Sequence, residues 1–132
     1  MLLRRALLAL FLFGAAAAPA AASAESCLTP NAEITGKLTK VAYVHPGNGY
    51  RTTLYVVELD RPTCAYAENN EDKMQRFENV RRIQLSAVDA GKIKHLVGKN
   101  VTVRGSLAES PTVYYVTPLF IDVKSVEAAK KA

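Results

Sequence analysis

Ser86-Ala87-Val88-Asp89-Ala90-Gly91-Lys92-Ile93-Lys94-His95-Leu96-Val97-Gly98 runs directly into Lys99-Asn100-Val101-Thr102-Val103-Arg104-Gly105-Ser106-Leu107, and the hydrophobic period changes between the two. In the first part Ile93, Leu96 and Val97 fall on one helical side, Asp89 stands where it can cap, and Gly98 stands where a helix end favours positive φ. In the second part Val101, Val103, Gly105 and Leu107 alternate with Thr102, Arg104 and Ser106, which is the period of a strand with one buried face. A short helix over 86–97 followed by a strand over 99–107 is therefore expected.

Upstream of this pair the chain reads as three strands. The first spans 33–44, with Ile34, Gly36 and Leu38 on one parity and Val41 and Tyr43 on the other, so a bulge or bend is expected near Thr39-Lys40, with Gly36 easing the curve. The turn signal His45-Pro46-Gly47-Asn48-Gly49 precedes a second strand over 51–59, which Asp60-Arg61-Pro62 ends. Residues 67–79 are polar and without a strand period, and read as an exposed connection. A third strand covers 80–85, with Ile83 and Leu85 on one face and Arg82 and Gln84 on the other. Downstream, Ala108-Glu109-Ser110-Pro111 makes a turn and a last strand runs over 113–126, interrupted at Pro118.

Three strands, a helix and two more strands place the chain in the all-β class with one short helix. The order is that of an OB-like five-stranded Greek-key barrel with its helix between strands 3 and 4. A small two-sheet sandwich is the rival, and it needs no helix at that point. The chain of 132 residues is 49% hydrophobic and 22% charged, with 7 Gly, 6 Pro and no Trp, which leaves room for one turn-rich domain and excludes collagen, long coiled coil and a multi-span membrane protein.

Met1-Leu2-Leu3-Arg4-Arg5, an apolar run over 6–18 and the small residues Ala22-Ser23-Ala24 read as a cleaved secretory signal peptide over 1–24. The domain reading is then a single β domain over 25–127 and a flexible tail over 128–132. The leader carries two Arg and no acid, so its removal lowers the net charge from +5 to +3. That excess is modest, and the cations are scattered apart from Arg81-Arg82 and Lys130-Lys131, so nucleic acid is not the expected partner. A periplasmic or secreted location is expected. In such an oxidising compartment the only cysteines, Cys27 and Cys64, are expected to form one disulfide, whose loop closure contributes about 3–4 kcal/mol. They lack the further ligands of a structural zinc site, so neither a metal nor a cofactor is expected.

The strings Leu59-Asp60-Arg61-Pro62-Thr63-Cys64, Asn79-Val80-Arg81-Arg82-Ile83-Gln84-Leu85, Leu96-Val97-Gly98-Lys99-Asn100-Val101-Thr102-Val103-Arg104-Gly105-Ser106-Leu107 and Thr117-Pro118 resemble an uncharacterised domain family of exported bacterial proteins. The resemblance spans essentially the whole chain after the leader. It implies the same pairing of an early Cys with the one after Leu-Asp-x-Pro, and it implies no activity. Where that family tends to carry Thr-Gly-His-His-His-Thr-Pro, this chain has Thr112-Val113-Tyr114-Tyr115-Val116-Thr117-Pro118, so a metal role suggested by those imidazoles has no ligands in this stretch.

Catalysis finds no motif. His45 lies in a turn and His95 on the expected helix, neither beside a residue that marks it as a general base, and no nucleophile elbow, phosphate loop or His-Glu-x-x-His occurs. The chain is read as non-catalytic. Binding has more material, because OB-folds bind with the outer face of strands 2 and 3 and with the loops after strands 1 and 4. Those positions hold Tyr50, Arg51, Arg82, Tyr114 and Tyr115, whose rings stack and whose cations meet anions. One of Tyr114 and Tyr115 is expected to pack inward. The partner classes that fit an exported module are an envelope glycan, an anionic small molecule or another envelope protein, on which the chain would dock or act as an inhibitor; an OB domain that binds oligosaccharide or single-stranded nucleic acid is the alternative.

Overall fold

The computed structural model describes residues 26–130, so the expected leader over 1–24 lies outside the described residues. The elements are β1 (Asn31–Val44), β2 (Arg51–Glu68), β3 (Met74–Ser86), α1 (Ala90–Ile93) continued by a 3₁₀ turn (Lys94–Leu96), β4 (Asn100–Glu109) and β5 (Leu119–Ala128). The fold is mostly sheet with one short helix. The strand order is β1-β2-β3-β5-β4, and β1 returns to β4, so the five strands form one sheet closed on itself.

Closure depends on β1 serving two neighbours. Residues 31–37 pair with β4, and residues 36–44 pair with β2. Gly36 stands at the changeover, opposite both Leu59 and Val101, where a Cβ would lie 2.1 Å from the Glu58 carbonyl oxygen. The absence of a side chain is what lets the strands approach. Gly105 does the same on β4 beside the Asp122 carbonyl, at the register shift between β4 and β5.

Inside the closed sheet Ile34, Leu38, Val57, Ile83, Val101, Val103, Leu107, Leu119 and Ile121 are buried, joined by Ile93 and Leu96 from the helical segment. Asp89 caps α1 by accepting from the Gly91 N–H at 3.0 Å, and Gly98 has φ +86°. The helix is shorter than the 86–97 expected, because Ser86 still belongs to β3 and the chain tightens into 3₁₀ geometry at Lys94.

Several expectations are corrected. No bulge interrupts β1 near Thr39-Lys40, since its register with β2 runs unbroken from Gly36 to Val44. The switch in apolar parity has another cause: Ala32, Ile34 and Leu38 face the core, whereas Val41 and Tyr43 lie on the outer face, which the β4–β5 loop overlies. β2 does not stop at Asp60, because an irregularity between Glu58 and Thr63 absorbs Pro62 and the strand continues to Glu68. Residues 67–79 are accordingly not a long connection but two strand ends joined by a turn in which the Asn69 side chain accepts from the Glu71 and Lys73 N–H groups at 2.9 and 3.0 Å. β5 starts at Leu119, not at residue 113, and ends at Ala128, after which the Ala129 N–H still donates to the Asn100 carbonyl at 2.9 Å.

Cys27 and Cys64 are disulfide-bonded, with Cα atoms 4.5 Å apart. Backbone bonds from Leu28 N–H to the Cys64 carbonyl and from Tyr66 N–H to the Leu28 carbonyl, both 2.8 Å, lay the following residues along β2. A disulfide is compatible with an oxidising compartment. Among the described residues no helix is long and apolar enough to cross a membrane.

Candidate functional site

The outer face of β1, β2 and β3 carries a second buried layer. Val56 and Gln84 are cross-strand partners on that face and are both buried, Gln84 with 4% of its surface exposed. Thr39 donates its hydroxyl to the Val56 carbonyl at 2.9 Å. The loop joining β4 to β5 is fastened over this layer. Gln84 accepts the Val116 N–H on its side-chain oxygen at 2.8 Å and donates its amide to the Tyr114 carbonyl at 3.4 Å. The buried Thr117 hydroxyl accepts the Gln84 N–H at 2.9 Å and donates to the Leu119 carbonyl at 2.6 Å. Ser110 closes the loop's base on the Thr117 and Pro118 carbonyls.

This attachment brings distant rings together. Tyr43 donates its hydroxyl to the Val113 carbonyl, and its ring lies 6.4 Å from that of Tyr114. Tyr114 in turn stands 4.8 Å from the His45 ring while 45% exposed. His45 is oriented by its own turn, its Nδ1 accepting from the Gly47 N–H at 3.0 Å and the Asn48 N–H at 3.3 Å. Tyr50 closes the same turn, its carbonyl accepting from the His45 N–H at 2.7 Å, and its side chain is 58% exposed.

The remaining candidates divide. Arg51 pairs with Val44, on the parity of the core residue Tyr55, so it projects from the ribbon face opposite to Tyr43 and Tyr114. Tyr115 is half-buried and packs against Phe120 with ring centroids 4.9 Å apart. Neither Tyr114 nor Tyr115 belongs to the core inside the closed sheet. His95 is exposed on the 3₁₀ turn. Arg82 is exposed on β3, at a cleft of about 180 Å³ between β3 and the loop. Phe77, Val80, Val116 and Pro118 give that cleft apolar walls, and Arg81, Arg82 and the Arg76-bonded Glu78 give it charge.

The guanidiniums near β3 differ in what they meet. Arg76 bonds Glu78 and lies over the Tyr66 ring, 5.9 Å from its centroid, and the hydrogen bond to Glu78 is the main cause holding its pKa above the usual arginine value. Arg104, on β4, is held up in the same way by Glu33, 2.8 Å away. Arg81 reaches only the Asn79 side-chain oxygen, at 3.2 Å, and Arg82 has no hydrogen bond or ion pair among the described residues. Sequence reasoning selected Arg82 and Tyr114 but not Phe77, Val116, Thr117 or the latch at Gln84. Thr117-Pro118 carried a signal as a motif, whereas nothing local marks Phe77 as the wall of a cleft. No protein-family model matches the chain, and no curated protein matches it.

Proposed function

We propose that this chain is an exported, non-catalytic binding module on an OB-like Greek-key barrel, acting in the periplasm or outside the cell. Its partner is an envelope protein, a glycan or an anionic small molecule. The binding region is the side on which the β1–β2 turn, β3 and the β4–β5 loop converge. The observation that carries this reading is the seating of Tyr114 on His45, rings 4.8 Å apart, by the same loop whose Val116 and Pro118 wall a cleft with Arg82, unpaired among the described residues, at its rim. An exposed ring and a guanidinium with no partner among the described residues are groups that meet a flat or anionic ligand, and the β4–β5 loop both carries the ring and walls the cleft that holds the guanidinium.

The strand order and the position of α1 support the OB-like assignment, and that scaffold binds through these same loops. The Cys27–Cys64 disulfide and the leader-like residues 1–24 support export. Docking on another envelope protein is favoured within this reading by the edge of β3, which over much of its length has no strand beside it among the described residues.

The test is affinity capture from the native envelope fraction with the exported chain, alongside the Arg82→Ala and Tyr114→Ala variants. Capture of one component by the parent chain, lost in both variants while their folds persist, is the expected result. Equal recovery by all three chains overturns the assignment of the site.

A further inference from the structure

β3 has two sides, and they are occupied unequally. On one side β2 pairs with it from Met74 to Gln84. On the other side β5 pairs only with Gln84, Leu85 and Ser86, because the chain ahead of Leu119 turns away to lie over the outer face. Residues 74–83 therefore present an edge with no neighbouring strand among the described residues, bent at Asn79, whose φ is +53°, so that the stretch holding Arg81 and Arg82 lies on one side of the bend. The cleft of about 180 Å³ lies along this edge, with Val116 and Pro118 as its far wall.

We infer that this edge of β3 receives an extended peptide from another protein, added as a further strand and carrying two consecutive acidic residues that meet Arg81 and Arg82. The inference rests on the binding-module reading above and names the partner class. An exposed edge offers main-chain groups to any extended segment, and its side chains decide which segment is accepted. Arg81 and Arg82 are adjacent on a strand, so they project to opposite faces. A strand beside them meets one guanidinium on each face and satisfies both only with carboxylates at neighbouring positions, since opposite charges facing each other across strands stabilise and like charges do the reverse. Neither arginine has a carboxylate within ion-pair distance among the described residues, in contrast to Arg76 and Arg104, although Glu58 stands opposite Arg82 in the β2 register. The apolar walls from Phe77, Val80 and Val116 provide for β-branched or aromatic flanking residues.

The experiment is selection of seven-residue peptides from a random display library on the full exported chain and on the double variant Arg81→Glu/Arg82→Glu. Both positions are exposed, and circular dichroism with thermal unfolding checks that the variant folds. The parent chain should enrich Pro-free sequences with adjacent Asp or Glu, and the double variant should enrich adjacent Lys or Arg at the same place. N-methylation of the selected peptide's alternate amides should weaken binding at least tenfold in one of the two alternating sets and leave the other set unaffected. Absence of enrichment, enrichment indifferent to the charge reversal, or equal tolerance of both methylated sets overturns the inference. So does sedimentation of the parent chain as a dimer that the charge reversal dissociates, because a second copy then occupies the edge. Envelope capture that still depends on Tyr114, with no acidic peptide selected, removes this inference alone; loss of both results removes the binding-module reading as well.

Discussion

The side chain of Gln84 holds the backbone of Val116 at 2.8 Å, across 32 residues of sequence, and so fastens the β4–β5 loop to the outer face of β3. Gln84 reads the loop as a peptide group would, accepting from one residue and donating to another two positions away. Whatever docks beside this loop does so against a wall that Gln84 keeps in place.

Replacing Gln84 by Ala strands the Val116 N–H and the Tyr114 carbonyl, at a cost of about 1–3 kcal/mol. Chemical denaturation should show a lower midpoint, and amide exchange at Val116 should rise towards that of an open loop. Gln84→Glu keeps the acceptor but sets a buried carboxylate against the Tyr114 carbonyl. Burial raises its folded pKa above the unfolded value, so the variant should approach the parent chain in stability at about pH 4 and lose ground as pH rises towards about 8. A pH-independent difference from the parent chain contradicts the latch.

Gly36→Ala drives a Cβ to within 2.1 Å of the Glu58 carbonyl oxygen, where both strands are backbone and neither yields cheaply. The expected loss is about 3 kcal/mol or more. Gly49 makes the contrast: its φ is +69° and nothing lies near a Cβ built there, so Gly49→Ala should cost only about 1 kcal/mol. Thermal unfolding of the two variants side by side measures the difference.

Breaking the disulfide by Cys27→Ser/Cys64→Ser should cost about 2–5 kcal/mol. The loss should appear first in exchange of the Tyr66 amide, which is bonded to the Leu28 carbonyl. Mass spectrometry of the purified chain should show no alkylation before reduction and two added groups after it.

Tyr115→Ala and Tyr114→Ala should differ in kind. Tyr115 packs on Phe120, and its removal should lower stability by about 1–2 kcal/mol without altering capture. Tyr114 is the more exposed ring, so its removal should reduce capture with a smaller change in the unfolding midpoint.

Much of the sheet was legible because its signals are local. Val101, Val103, Gly105 and Leu107 alternate without interruption, and Asp89 and Gly98 mark the helical segment by their chemistry. The length of β2 was not legible, since Pro62 is a stop signal unless an irregularity absorbs it, and the inward residues beyond it are the small Ala65 and Ala67. Val113-Tyr114-Tyr115-Val116 has strand composition and is not a strand, because the side chains of Gln84 and Tyr43 capture that backbone from elsewhere in the fold. Periodicity assigned Gln84 to the outer face correctly but carried no information on what covers it. The candidate residues were chosen by type, and their grouping was not legible: the loop's path sets Tyr114 against His45, and the β1–β2 register sends Arg51 to the other face.

The cleft between β3 and the β4–β5 loop is the surface proposed to engage partners. Photo-crosslinking in cells that export the chain tests it most directly, with p-benzoylphenylalanine in place of Phe77, a wall of the cleft, or of His95, exposed on the helical segment. A discrete adduct from position 77 is expected, absent from position 95 and lost when Arg81→Glu/Arg82→Glu is added. No adduct from position 77, or the same adduct from both positions, would contradict it.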